Sequence, residues 1–236
     1  KLVIDVTDKS SVKIGTGREY YDEDGYIITG TNQNTDVYIY ESADLTLKNA
    51  VFSRLFIQYA PEDSVINITL DGTTEVELVD VYKAHLIFDG GETDTLKTPS
   101  FNTSGNPGSV TVNGGNIILD CVTESTLSTI ICAGGFIING GTVTASNNYY
   151  NVVFDSVTLN GGELNIISTS TYYEAIMGSI TIEKGALLTV SATKGILDMD
   201  SDIVMADDAE ENDYFFVRYD TESEFVPVQD IESALN

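Results

Sequence analysis

Three aspartates near the end of the chain are the clearest group of metal-ligating side chains in the sequence. Asp198, Asp200 and Asp202 alternate along the chain, so on an extended segment their carboxylates would point to one side. Carboxylates placed in this way repel one another unless a cation or protons intervene. Calcium is the cation that such oxygen ligands favour. The pattern predicts a Ca²⁺ site, and the alternative interpretation is a solvated acidic turn.

Two tyrosine pairs offer a different chemistry, which is contact with the apolar faces of sugar rings. Tyr149-Tyr150 and Tyr172-Tyr173 lie 23 residues apart, and each pair stands at the same distance before the next predicted strand. If they occupy equivalent positions, the rings stack into a strip with at least one exposed column that could bind a glycan. The alternative is an aromatic ladder that only seals a corner of the fold. Neighbouring polar side chains would surround the sugar: Asn147, Asn148, Asn151, Ser170 and Thr171.

Catalytic groups are scattered along the chain. Hydrolysis of a glycosidic bond needs two carboxyl groups at a set separation. The sequence offers Asp89 with Asp94, or Asp71 with Glu75, and each of these residues stands at or beside a predicted turn. His85 is the single histidine and has no evident partner, which is typical of a surface or stacking residue. We therefore expect a protein without catalytic activity.

An internal repeat sets the spacing of these residues. Three Asn-Gly-Gly units occupy 113–115, 139–141 and 160–162, and a decayed copy contains Gly185. The second glycines of the four copies are 26, 21 and 23 residues apart. A short alternating strand precedes each unit and another follows it, while the glycines allow the positive φ that turns the chain. A period of this length is typical of a solenoid.

The repeat predicts an all-β fold, a right-handed parallel β-helix of about eight coils in which the tripeptides stack on one corner. Asn-Gly between alternating strands is also a hairpin signal, so an antiparallel β-sandwich is the alternative. We predict one domain over 1–236, with an N-terminal cap at 1–26, coils at 27–205 and a C-terminal cap at 206–236. Caps are expected because a solenoid otherwise ends in open ladder edges.

The repeat units resemble a bacterial family of secreted carbohydrate-binding β-helix domains with a pectate-lyase-like fold. The resemblance begins at 25–30 and 44–52 and continues through 65–77 and the Asn-Gly-Gly coils to about residue 204. It implies binding of plant cell-wall polysaccharide, including acidic pectic chains, with the help of Ca²⁺. In the family, acidic turns after a Gly-Ile pair hold calcium on successive coils, and here only 195–202 keeps that form.

Charge and cysteine content exclude several classes of partner. The formal net charge of −26, from 37 acidic and 11 basic residues, repels phosphate backbones and anionic membranes. We expect no nucleic-acid partner, and no membrane insertion because no segment has the length of a transmembrane helix. Cys121 and Cys132 are too few for a disulfide framework or a zinc site. We interpret them as small buried hydrophobic residues.

Together these patterns predict a monomeric, secreted or cell-surface protein that binds polysaccharide. The first alternative is an adhesin or structural spacer, whose coil surface would lack an aromatic strip. The second is a polysaccharide lyase, which on this fold would need a basic residue opposite a calcium-bound uronate. None of the three arginines, Arg18, Arg54 and Arg218, lies within an acidic cluster on a predicted coil strand.

Overall fold

The computed structural model describes residues 1–57, 59–103, 108–121, 129–132, 134–153, 155–199, 201–205, 215–218 and 226–227. All 21 strands in these residues join one sheet, and no helix occurs among them. In chain order the strands are β1 (Leu2–Asp5), β2 (Ser11–Ile14), β3 (Tyr26–Ile39), β4 (Ala43–Ile57), β5 (Val65–Asp71), β6 (Thr73–Val81), β7 (His85–Asp89), β8 (Thr95–Thr98), β9 (Phe101–Thr103), β10 (Ser109–Val112), β11 (Asn116–Cys121), β12 (Ile130–Cys132), β13 (Phe136–Ile138), β14 (Thr142–Asn147), β15 (Ser156–Leu159), β16 (Glu163–Ser168), β17 (Ser179–Ile182), β18 (Leu187–Ala192), β19 (Asp202–Met205), β20 (Phe215–Arg218) and β21 (Val226–Pro227).

These strands pair in three parallel ladders, one for each face of the coil. The first ladder contains β1, the beginnings of β3 and β4, and then β5, β7, β10, β13, β15, β17 and β19. The second contains the middle of β3 and β4, the beginning of β6, and then β8, β11, β14, β16, β18 and β20. The third contains β2, the ends of β3, β4 and β6, then β9 and β12. It continues as single-residue bridges at Val153, Ile176 and Leu197.

About eight coils contribute to all three ladders, from the coil that begins at Tyr26 to the coil that includes Leu197. The chain is therefore a right-handed parallel β-helix, as the repeat predicts. Its hand is that of nearly all parallel crossover connections. Among the described strands, only β20 and β21 pair antiparallel, so the β-sandwich alternative is wrong.

Side-chain alternation fills the inside of the coils. In β10, β15 and β17 every second side chain is buried, and the intervening serines and threonines face outward. Equivalent buried residues meet from coil to coil, as in the series Phe88, Phe101 and Phe136, whose successive ring centroids are 5.4 and 5.9 Å apart. The core is thus a set of stacked columns, and each column buries apolar area worth about 25 cal/mol per Å².

The Asn-Gly-Gly units stack on one corner of the helix, which confirms the prediction made from their spacing. Asn139 Nδ2 donates to Asn113 Oδ1 at 2.9 Å, and Asn160 Nδ2 donates to Asn139 Oδ1 at 2.8 Å. The second glycine of each unit has positive φ, 84°, 76° and 70° in turn. A side chain there would also collide with the coil below, since a Cβ on Gly162 would lie 2.4 Å from the Gly141 carbonyl oxygen. Glycine is required for both reasons.

Each end of the helix consists of a coil that lacks one face in the described residues. At the start, β1 and β2 pair with β3 in the first and third ladders, so the predicted N-terminal cap, 1–26, is an incomplete first coil. At the other end, β20 continues the second ladder in parallel register with β18, and β21 pairs with β20 in the opposite direction. The predicted C-terminal cap, 206–236, thus supplies one further strand of the helix, and most of its residues lie outside the described ranges.

Gly141→Ala is expected to destabilise the protein more than Gly185→Ala. Both glycines have positive φ, 76° and 88°, so each alanine carries a backbone penalty of about 1–2 kcal/mol. A Cβ on Gly141 would lie 2.4 Å from the Gly115 carbonyl oxygen, whereas a Cβ on Gly185 would meet no atom within 4 Å. We expect a further loss of about 1–3 kcal/mol for Gly141→Ala, measured as the difference in urea midpoints. Equal midpoints would contradict the close stacking of this corner.

Candidate functional site

The four predicted tyrosines lie together at the corner between the second and third faces. Tyr149 and Tyr150 follow β14, and Tyr172 and Tyr173 follow β16 on the next coil. The ring centroids of Tyr149 and Tyr172 are 5.0 Å apart, and those of Tyr150 and Tyr173 are 5.2 Å apart. Tyr149 and Tyr150 meet edge to face at 4.8 Å. These four rings are called the tyrosine cluster below.

Two buried polar side chains hold the tyrosine turns in the same way on both coils. Asn147 Oδ1 accepts hydrogen bonds from both tyrosine amides of its own coil, each at 2.9 Å. Ser170 Oγ accepts from both tyrosine amides of the next coil, at 3.1 and 3.0 Å, and donates to the Tyr149 carbonyl oxygen. Short polar side chains often satisfy turn amides in this way. The bonds fix the backbone from which each ring projects.

Solvent reaches both columns of the tyrosine cluster. Tyr172 is 62 % exposed, Tyr149 42 % and Tyr173 39 %, while Tyr150 is half-buried. Rings that stack along the helix axis cover part of one another, so the largest free aromatic surface belongs to Tyr172. The cluster therefore presents a mixed surface of ring faces, ring edges and phenolic hydroxyl groups.

The polar surround of the cluster differs from the sequence-based expectation. Asn147, Asn151 and Ser170 are almost fully buried, and Asn151 Nδ2 donates to a backbone carbonyl oxygen of the next coil at 2.6 Å. Of the five expected residues, only Asn148 and Thr171 are exposed. The expectation was wrong for the other three because buried backbone groups at a corner need hydrogen-bond partners inside the protein.

An ion pair borders the tyrosine cluster on its C-terminal side. Lys194 Nζ lies 3.0 Å from the Glu174 carboxylate and donates to the Tyr172 carbonyl oxygen at 2.7 Å. Burial acts to raise the pKa of Glu174, but a backbone hydrogen bond and Lys194 together outweigh it, so this pKa lies below its ordinary value. Glu174 is therefore ionised at neutral pH, and Lys194 balances its charge beside the rings.

The predicted calcium ligands lie in a turn, so the assumption of an extended segment is wrong. The Ser201 amide donates to the Asp198 carbonyl oxygen at 3.0 Å, a bond from residue i+3 to residue i that closes a β-turn. The Asp198 carboxylate accepts from the Met199 amide at 2.6 Å, and Asp202 is the exposed first residue of β19. Asp200 lies outside the described residues. Within the described ranges no group of three or more His, Cys, Asp or Glu side chains is placed to hold a metal.

The carboxyl groups considered for catalysis all have structural partners. Asp71 and Glu75 form ion pairs with lysines of neighbouring coils, at 2.9 and 3.1 Å. Asp94 accepts hydrogen bonds from two glycine amides, both at 2.8 Å, and these bonds lower its pKa. Asp89 accepts from the Gly90 amide at 2.9 Å. These contacts account for the four acids as parts of turns and ladders.

His85 has a partner that the sequence analysis missed. Its Nδ1 lies 2.6 Å from Ser109 Oγ, and its Nε2 lies 3.8 Å from Asp63 Oδ1. His85 and Ser109 are in register on adjacent coils, and their separation of 24 residues, one coil, was the available signal. Cys121 is buried, as predicted, whereas the side chain of Cys132 lies outside the described part of the structure.

Comparison with known proteins adds no family assignment. A scan against protein-family models and searches of curated proteins and of solved structures found no match. The resemblance to carbohydrate-binding β-helix domains therefore rests on the repeat motifs. Among the described residues, no helix has the length and apolar character needed to cross a membrane.

Ser170→Ala is expected to lower the free energy of unfolding by about 1–3 kcal/mol, since two amides and a carbonyl oxygen lose a buried partner. The exposed neighbour gives the control, because Thr171→Ala should stay within about 0.5 kcal/mol of the wild type. The chain has 13 tyrosines and no tryptophan, so near-UV circular dichroism reports tyrosine packing. We expect this spectrum to change in Ser170→Ala alone. A wild-type spectrum and stability would show that Ser170 does not fix the cluster.

Proposed function

We propose that this chain is a non-catalytic, monomeric, secreted or cell-surface protein that binds polysaccharide through the tyrosine cluster. The observation that carries the proposal is the grouping of four tyrosines from two coils, three of them at least 39 % exposed. A contiguous exposed aromatic surface is typical of a ligand or partner site. The regular surface of a β-helix makes such a group stand out from the short polar side chains around it.

Tyrosine suits a glycan because it combines an apolar ring with a polar tip. The ring covers the C–H face of a sugar, while the hydroxyl group can exchange hydrogen bonds with the sugar hydroxyls. Backbone bonds to Asn147 and Ser170 hold both turns before any ligand arrives. A surface that is already ordered loses less conformational entropy on binding, which favours useful affinity from a small contact area.

Charge favours a neutral or weakly acidic glycan at the tyrosine cluster. The chain carries a formal net charge of −26, which repels strongly anionic polymers at a distance. Close to the rings, the Glu174 carboxylate is balanced by Lys194. Bound Ca²⁺ is part of the proposal as an assisting ion, with Asp198, Asp200 and Asp202 as the residues that would hold it through carboxylate oxygens.

A second candidate function, adhesin or structural spacer, is favoured by the second face. Its outward columns consist of short polar side chains, as in the series Thr144, Asn165 and Thr189. Thr189 Oγ1 donates to Asn165 Oδ1 at 2.5 Å, so these side chains satisfy one another. Such a face offers little to a ligand and much to a rigid support.

The double variant Tyr149→Ala, Tyr172→Ala is expected to bind insoluble plant cell-wall polysaccharide at least about tenfold more weakly than the wild type. Each lost ring should cost about 1 kcal/mol or more, judged from aromatic pair energies. Binding is measured by pull-down over a range of polysaccharide concentrations, with folding checked by thermal melting. Tyr21→Ala is the matched control, because Tyr21 is 51 % exposed on a distant coil.

Two outcomes would contradict this function. Unchanged binding by a folded double variant would remove the tyrosine cluster as the contact surface. Failure of the wild type to bind any polysaccharide in the panel would leave the adhesin or spacer function as the better account.

Calcium at millimolar concentration is expected to raise the melting temperature, because an ion that binds the native state stabilises it by RT ln(1 + [L]/Kd). Asp198→Asn with Asp202→Asn should remove most of that increase. Asp8→Asn with Glu19→Gln is the control, since it removes the same charge from exposed positions near the N-terminus. A melting temperature that does not respond to calcium would reduce 198–202 to a solvated acidic turn.

A further inference from the structure

Basic residues are distributed unevenly over this acidic chain. Five of the 11 lie on the third face of the first coils or in the adjoining turns: Lys9, Lys13, Arg18, Arg54 and Lys83. Four of these five lie over an aromatic ring, at 3.9 to 5.7 Å from its centroid. Cation–π contacts of this kind stabilise the position of the charge while it stays accessible to solvent.

Two ring stacks stand side by side among these cations. The centroids of Tyr38 and Phe56 are 5.1 Å apart with ring planes at 19°, and those of Tyr40 and Tyr59 are 5.4 Å apart at 15°. Tyr59 is 60 % exposed. Lys13 is in register with Tyr38 on the preceding coil. We call this surface the aromatic–cation face; it comprises Lys13, Arg18, Tyr38, Tyr40, Phe56 and Tyr59.

Arg18 is held in place and keeps its donors free. Its guanidinium lies 3.9 Å from the centroid of the Tyr40 ring. Within the described part of the chain, neither Arg18 nor Lys13 forms an ion pair or a side-chain hydrogen bond. Lysines on the other faces behave differently, since Lys48 and Lys97 pair with carboxylates at 2.9 and 3.1 Å. Two unpaired cations in a chain with 37 acidic residues are available to an external anion.

The carboxylates nearest to this face are already engaged. Asp36 accepts a hydrogen bond from the Tyr38 hydroxyl at 3.3 Å and lies 3.8 Å from Arg54. Glu41 accepts from the Thr16 amide at 2.9 Å. An anionic ligand therefore meets unpaired cations beside acids whose charge is partly offset, a pattern that favours association.

We propose that the aromatic–cation face binds an anionic glycan through the sulfate or carboxylate groups of its sugars. A guanidinium offers two parallel N–H donors that match the two oxygens of such a group. Lys13 would contact a neighbouring anionic sugar as a point charge, and the exposed ring of Tyr59 would cover an apolar sugar face. The binding needs no metal ion, because the protein itself supplies the positive charge.

This second site shares only its ligand class with the tyrosine cluster. The two surfaces lie on different coils and differ in chemistry, since one is aromatic and locally neutral and the other carries free cations. Variants of one surface leave the other intact. Loss of either activity can therefore be assigned to its own site.

The test is affinity electrophoresis of the full chain through gels that contain alginate, dextran sulfate or neutral dextran, with EDTA present. We expect retardation by the two anionic polymers and none by dextran. Alginate and dextran sulfate separate carboxylate from sulfate recognition. Arg18→Gln should weaken binding about tenfold, the loss expected for charge-assisted hydrogen bonds, and 0.5 M NaCl should weaken it further. Lys184→Gln is the matched control, because it removes one exposed positive charge far from this face.

Three results would overturn this inference. No retardation by either anionic polymer at low salt would remove the site. An equal loss in Lys184→Gln and Arg18→Gln would show a general charge effect without a defined face. Binding of single-stranded DNA as tight as that of dextran sulfate would show that the face does not select a glycan. Tyr149→Ala with Tyr172→Ala should leave the retardation unchanged.

Discussion

Hydrogen bonding between successive coils is the interaction on which the rest of this structure depends. Parallel strands about 4.8 Å apart bond each coil to the next in register along all three faces. A residue at a given position in one coil therefore lies directly over its equivalent in the previous one. Corners must repeat as faithfully as strands, and the positive φ of Gly115, Gly141 and Gly162 is how the chain turns without breaking the stack. A one-residue slip would exchange the buried and exposed side chains of a whole strand.

The same register converts short sequence motifs into continuous surfaces. One asparagine per coil becomes a ladder of amide hydrogen bonds, and one tyrosine pair per coil becomes a four-ring cluster. Functional surfaces of a solenoid grow by repetition in this way, so a ligand that itself repeats, such as a polysaccharide, fits the geometry. The aromatic–cation face of the first coils follows the same rule with a different set of side chains.

The sequence was most informative where the repeat is regular. Asn-Gly-Gly at a near-constant period was enough to predict the parallel helix, the stacking of the corner and the meeting of the two tyrosine pairs. Burial at corners was harder to predict, because Asn147 and Ser170 look like surface residues until the turn amides they bind are seen. The first coils lack the tripeptide and vary in length. Tyr38 and Phe56 are 18 residues apart, while Tyr40 and Tyr59 are 19 apart, so no fixed period pointed to their stacking.

The central functional claim is that a glycan contacts the tyrosine cluster, and a crystal structure of the chain with a neutral oligosaccharide tests it most directly. The oligosaccharide is the one that the protein retains best on a glycan array. The account predicts a sugar ring within van der Waals distance of Tyr172 or Tyr149, with the turns at Asn147 and Ser170 unchanged from the free protein. A sugar bound on another face, with the four tyrosine rings still exposed to solvent, would contradict the account.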